Sequence, residues 1–319
     1  MKKILALLMA AGMLFSPKPG EKGDGMQEYL VRDELENMVL REDEENGVWE
    51  FSSDTLSVRV ARYREKPDEK HTLEYCVADV RASAASPLFS IMTPARGRRP
   101  GGYHLVYAED LVRDNPVVFA VSDDYYGYRQ YRRDLGAKWP TGIILRNAEI
   151  LYRDTRDSSK KRTFPPLDTL AVYRDGSMKT FISDECTAEE YLEQGAEQVF
   201  SFGPWLIRDG KINEKEAGDE AIYLNYSEPR CAVGMVEPYH YIFIVVTVPD
   251  ANKYLGVRGS WLIAKMQEYG CREALNLDGG GTACMVFNGK AIIQGRFQQE
   301  KRPLGSMIAF GPMDAVPAE

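Results

Sequence analysis

Along the chain, short runs of β-type pattern alternate with a few helical ones. LSVRVARY (Leu56–Tyr63) alternates apolar and polar residues one by one, which predicts a strand with one buried face. Further strands are predicted at Glu74–Arg81, Val117–Ser122, Gly142–Leu145, Thr169–Tyr173, Cys231–Val236 and Tyr241–Val248. The last run, YIFIVVTV, is apolar at consecutive positions and therefore reads as a central strand covered on both faces. A helix fits Ala188–Gln194 before Gly195. Another fits Ser260–Tyr269, with Ser260 as its N-cap and Gly270 as its stop. The expected fold is α+β, a single domain with extensive mixed β-sheet and a few packed helices.

The ends of the chain divide differently. Lys2 and Lys3 precede a twelve-residue apolar stretch, Ile4 to Phe15, the layout of a secretory signal peptide or short N-terminal anchor over residues 1–20. That layout implies export, to the extracellular space or the cell envelope. Residues 17–25, PKPGEKGDG, read as a linker. Residues 21–50 hold eleven acidic and three basic side chains, so residues 21–55 are expected to form a solvated acidic extension and residues 56–319 the folded domain.

Composition narrows the function classes. With 44% hydrophobic and 11% aromatic residues among 319, the chain is globular. A formal charge of −8 argues against a broad grip on nucleic acid while leaving room for a local basic pocket. No apolar run is long enough for a conventional membrane span. Cys76, Cys186, Cys231, Cys271 and Cys284 form no CxxC pair, so neither a zinc knuckle nor a disulfide framework is indicated. His71, His104 and His240 lie far apart, without metal spacing or support for a Ser-His-Asp triad.

The segment with most chemistry is GCREALNLDGGGTACMVFNG (Gly270–Gly289). A strand, Ala274–Leu277, runs into Asp278 and three glycines, and a second strand, Ala283–Phe287, leaves them. Three glycines cost conformational entropy. They suit either a tight hairpin with Asp278 capping its own turn, or a loop whose N–H groups hold an anion. Local pattern alone leaves both open.

Asn276–Thr282, Asn-Leu-Asp-Gly-Gly-Gly-Thr, resembles a motif of the phosphodiester glycosidase family, whose animal member uncovers mannose 6-phosphate by removing a capping N-acetylglucosamine. Four more elements resemble the family, in its order. They are AVSDDYYG (Ala120–Gly127), GIILRNAEILYR (Gly142–Arg153), SFGPWLIRDGKI (Ser201–Ile212) and EPRCAVGM (Glu228–Met235). The resemblance extends over residues 73–311. Ser122 and Asp123 stand where the family has Asn and Gly, and Ala148 where Gly is usual.

The resemblance implies hydrolysis of a sugar-1-phosphodiester, with a carbohydrate or sugar-phosphate as substrate. Asp278 would act at the anomeric carbon as nucleophile or base, and Arg230 would offer its planar fork to phosphate oxygens. Gly279, Gly280, Gly281 and Thr282 would add backbone and hydroxyl donors. Asp124 would be the second carboxylate. Ser201 and Gly203 would shape the pocket floor and Tyr125 would stack on sugar, while Trp205 reads as core. Arg302, ahead of PLGSMIAFG, would line the pocket. Asp123, Asp124 and Asp278 are candidates to share a divalent cation, and no other cofactor is implied. The alternatives are a metal-dependent phosphodiesterase and a non-catalytic envelope glycan-binding module.

Overall fold

The structure, a computed structural model, describes residues 38–68, 71–93, 105–115, 117–124, 131–132, 137–138, 142–153, 167–182, 185–218, 224–247, 256–295 and 301–311. The largest sheet holds β1 (Val39–Asp43), β2 (Val48–Ser52), β3 (Ser57–Asp68), β4 (His71–Arg81), β14 (Trp205–Arg208), β15 (Lys211–Ile212), β16 (Arg230–Glu237), β17 (His240–Thr247) and β18 (Glu273–Leu277). Its order is β1-β2-β3-β4-β17-β16-β18-β14-β15. A second sheet, ordered β10-β9-β13-β11-β12, holds β9 (Ile144–Arg146), β10 (Glu149–Tyr152), β11 (Asp168–Tyr173), β12 (Met178–Phe181) and β13 (Ala196–Phe202). A third, ordered β20-β19-β6-β21-β5, holds β5 (Phe89–Met92), β6 (Phe119–Ser122), β19 (Cys284–Phe287), β20 (Lys290–Gln294) and β21 (Ser306–Phe310). β7 (Tyr131–Arg132) and β8 (Ala137–Lys138) pair with each other.

The α+β class is as expected, with one difference in strand direction. Every ladder among the described residues is antiparallel, where a mixed sheet was expected. The described part of YIFIVVTV does form a central strand: β17, His240–Thr247, lies between β4 and β16 with every residue buried, and Val248 lies outside the described residues. An antiparallel strand covered on both faces carries the same continuous apolar run as a parallel one, so the run does not reveal strand direction.

The three sheets close around a shared core, which makes the protein a single domain. Val58, Val60, Val233, Val245 and Leu275 come from the first sheet, Leu170, Val172 and Phe200 from the second, and Phe119, Met285, Ile308 and Phe310 from the third. At its centre Phe119 and Phe310 pack against Phe243, with ring centroids 5.7 and 5.9 Å away. Burial of each ring is worth about 1.5–3 kcal/mol. Helices cover the outer faces. Gly259–Glu268 lays Leu262, Ile263 and Met266 on Val77, Ala232 and Ile244. Ala108–Arg113 covers the third sheet and Ala188–Glu193 the second.

Two local expectations change. Ser260 lies inside its helix; the N-cap is Arg258, with no side-chain capping bond. The sheet also begins at Val39, so Val39–Ser52, assigned from its charge to the acidic extension, forms β1 and β2. Trp49 and Phe51 point into the core from alternate positions of β2, a two-residue period hidden by the acidic average of the region. Trp205 is partly buried against the same core, as the sequence suggests.

Three two-residue hairpins place positive φ at both turn residues: Asp209 and Gly210 (50° and 75°), Asn288 and Gly289 (46° and 76°), and Asn147 and Ala148 (50° and 63°). Such turns favour Asn-Gly or Asp-Gly. Ala148 therefore occupies a left-handed position that glycine would take without strain.

Candidate active site

Asp278 ends β18. Leu277 pairs with Cys231 of β16, so the main chains of Asp278 and Arg230 lie side by side at the same sheet end. The Asp278 N–H donates to the Asp123 carbonyl at 3.1 Å, which ties this end of the first sheet to the end of β6 in the third. The Thr282 hydroxyl lies 2.7 Å from Asp278 Oδ2 and 2.6 Å from the Gly279 carbonyl, and it donates within this loop.

The second sheet enters through Arg146, the last residue of β9. Its guanidinium donates to Asp124 Oδ1 and lies 3.5 Å from Asp123 Oδ2. It also donates to the Leu145 and Val199 carbonyls and rests 4.3 Å over the Phe200 ring. The other oxygen of Asp124 accepts the Ser201 N–H. All three charged groups are inaccessible, with Arg146 1%, Asp123 2% and Asp124 3% exposed. Buried charges of this kind persist only when paired. Asp123, Asp124 and Asp278 were candidates to share a divalent cation; the positive group between Asp123 and Asp124 in the structure is Arg146. Among the described residues no three His, Cys, Asp or Glu side chains group as a metal site.

Arg146 was not singled out in the sequence, although GIILRNAEILYR contains it. The available signal was a charged residue ending an apolar strand run. Ser122 and its neighbours explain the rest of the corner. The Ser122 hydroxyl accepts the Cys284 N–H at 3.1 Å and its carbonyl accepts the Cys231 thiol at 3.4 Å, joining β6 to β19 and β16. Burial pushes that thiol up to about 12, so it is a neutral donor.

Ser201 and Gly203 frame the corner. The Ser201 hydroxyl donates to the Ile143 carbonyl at 2.6 Å. Gly203 exchanges bonds with Asn276, giving its N–H to the Asn276 carbonyl at 3.1 Å and accepting the Asn276 side-chain amide at 2.8 Å. This anchors the strand just ahead of Asp278.

The glycine segment forms a 3-10 turn, Gly280–Thr282. The Gly280 N–H donates to the Pro229 carbonyl at 2.9 Å, and the Thr282 N–H to the Gly279 carbonyl at 3.3 Å. Two of the donors expected for a ligand are thus used within the fold. A Cβ on Gly279 would lie 2.5 Å from the Pro229 carbonyl oxygen, a contact that leaves room for glycine alone.

Two arginines border this turn. Arg230 donates to the Tyr226 carbonyl at 2.9 Å and the Val257 carbonyl at 3.4 Å, with Glu228 3.6 Å away. Burial lowers its pKa from the ordinary arginine value. Arg302 gives its N–H to the Gly281 carbonyl at 3.0 Å. Its guanidinium nitrogen lies 3.5 Å from where a Cβ on Gly280 would sit. The structure therefore gathers Asp124, Asp278, Ser201, Gly203, Gly279–Gly281 and Thr282, together with the Arg230 main chain, while the Arg230 guanidinium turns toward Tyr226 and Val257. Tyr125 lies outside the described residues.

Three sheet ends thus meet at buried carboxylates, guanidinium groups and a triple-glycine turn, and the family match supplies the class, a glycosidase-type hydrolase. The chain belongs to the phosphodiester glycosidase family, whose model matches residues 115–311 and so includes every charged residue of the corner. The zebrafish N-acetylglucosamine-1-phosphodiester alpha-N-acetylglucosaminidase catalytic domain, auto-inhibited by its pro-peptide, has the same fold. It is 15% identical, with a TM-score of 0.58, covering 93% of this chain and 96% of that one. A hypothetical protein from Synechocystis matches with a TM-score of 0.52 at 10% identity, over 81% of this chain and 62% of that one. A curated relative, the SPbeta prophage-derived uncharacterized protein YomE of Bacillus subtilis (strain 168), is 27% identical over 144 residues. That stretch is 45% of this chain and 21% of the relative, so the match spans about a fifth of that protein.

Proposed function

We propose that the protein hydrolyses the bond between a sugar's anomeric carbon and a phosphodiester. The observation that carries this reading is the family match spanning a corner where Asp278 stands directly before the glycine turn. Water oxygen bonds to the anomeric carbon, and the carbon–oxygen bond to phosphate breaks with its electron pair leaving on the phosphate oxygen. The water proton passes to a carboxylate and then to solvent. Phosphate leaves readily, so the main demands are a carboxylate at the anomeric centre and positive charge at the phosphate.

Asp278 meets the first demand, oriented by the Thr282 hydroxyl. Asp124, buried and held rigidly by Arg146 and the Ser201 N–H, fixes the corner beside Asp278 and acts on the sugar through that positioning. Arg230, with its donors on main-chain carbonyls, supplies positive potential behind the turn. In this reading residues 1–20 direct export and the substrate is an exported glycan or glycoconjugate, supported by Lys2, Lys3 and the Ile4–Phe15 run. Among the described residues no helix is long and apolar enough to cross a membrane.

The test is a panel of sugar-1-phosphodiesters with purified protein and Asp278→Asn. Turnover of at least one substrate, reduced about 100-fold or more in the variant, supports the reading. Equal rates for both proteins on every substrate would sink it, and sugar binding without turnover would instead favour a non-catalytic glycan-binding module.

A further inference from the structure

Among the described residues of this corner, the guanidinium groups of Arg146 and Arg230 are engaged within the fold. Asp123, Asp124 and Asp278 bring three carboxylates, and Arg146 lies between two of them. Arg230 is buried with its guanidinium on the Tyr226 and Val257 carbonyls. An anionic phosphodiester approaching such a centre needs a further cation placed in advance.

Arg302 is so placed. Its N–H is bonded to the Gly281 carbonyl, and Gly281 accepts a second bond from the Gln294 side-chain amide at 3.1 Å. Two residues on, Leu304 and Val106 exchange main-chain bonds at 2.8 and 3.0 Å, so the segment is fixed at both ends. Its guanidinium lies against the side of Gly280 that a side chain would fill, and it is only half-buried. Gly280 has φ 63°, so glycine relieves the backbone and clears the space at once. The neighbouring Lys301 points to Glu109, 3.9 Å away. Arginine's planar fork can hold two phosphate oxygens together.

We propose that Arg302 binds the phosphate of the substrate directly and makes the enzyme select a phosphodiester over a neutral leaving group. The inference deepens the proposed reaction and rests on it. The experiment compares wild type, Arg302→Gln, Arg302→Lys and a remote charge control, Arg59→Gln. Two substrates share one sugar, a methyl phosphodiester and a neutral 4-nitrophenyl glycoside. Binding of inorganic phosphate is measured in parallel by calorimetry at low salt.

Arg302→Gln is expected to raise KM for the phosphodiester at least tenfold and to leave the neutral substrate within twofold. Arg302→Lys should recover part of the loss, and Arg59→Gln should match wild type. Phosphate affinity should fall tenfold or more in Arg302→Gln. Equal effects on both substrates, or no effect on either, overturn the proposal. If wild type hydrolyses neither substrate, the reaction assignment fails and the phosphate titration decides alone. Wild-type binding lost in Arg302→Gln then keeps Arg302 as the anion ligand, and unchanged or absent binding removes it.

Discussion

Replacing Arg146 with methionine tests what holds the corner together. The side chain keeps much of its length and its packing on Phe200, but Asp123 and Asp124 lose their guanidinium. At 3.5 Å, the Asp123 separation, one unit-charge pair interacts by about 5 kcal/mol at an effective dielectric of about 20. Desolvation offsets part of this, and removal of one partner from a buried pair costs about 3–5 kcal/mol in practice. The Leu145 and Val199 carbonyls also lose a donor, so the expected loss lies toward the upper end of that range. The assay is urea unfolding of wild type, Arg146→Met, Asp124→Asn and the double variant. The two single losses should exceed the double loss by about 1.5 kcal/mol or more, because the same interaction is broken in each. A loss below about 1 kcal/mol for Arg146→Met, or simple additivity, would show that this pair does not organise the site.

Other outcomes follow from the same structure. Ala148→Gly should stabilise the protein by about 0.5–1 kcal/mol, because left-handed strain of about 1–2 kcal/mol is relieved against a gain in unfolded-chain entropy. Gly289→Ala should do the reverse, and thermal unfolding of both variants checks the pair. Burial pushes the thiols of Cys76, Cys231 and Cys271 up to about 12, and that of Cys284 upward as well. At pH 8, below those raised values, they remain protonated and covered, so native protein should titrate one thiol, Cys186, and denatured protein all five. More than one fast-reacting thiol in the native state would contradict the burial of these four side chains.

What could be read from the sequence was local. The alternation of Leu56–Tyr63 and the continuous YIFIVVTV run announce β3 and β17 because side-chain period follows directly from backbone geometry. The Asn276–Thr282 motif carried the glycine turn for the same reason, being contiguous. Arg146 was not visible because its role arises from an approach between β9, β13 and β6, a non-local event that leaves no spacing in the chain. Asp123 stood out in the sequence only as a departure from the family's glycine and a candidate cation ligand, and that its carbonyl receives the Asp278 N–H is again a non-local contact. The glycine N–H groups read as free donors, and only the structure shows that of Gly280 given to Pro229. Tyr125 lies outside the described residues, so its expected place against the sugar stands as a proposal.

The central claim concerns which bond breaks, and hydrolysis in oxygen-18 water reads this directly. With the sugar phosphodiester turned over most rapidly in the panel, a single-turnover reaction is stopped and both products are weighed by mass spectrometry. Attack at the anomeric carbon, with Asp278 beside it, predicts the label in the sugar hydroxyl and an unlabelled phosphate monoester. Label in the phosphate and none in the sugar would show cleavage of the phosphorus–oxygen bond and make the protein a phosphodiesterase.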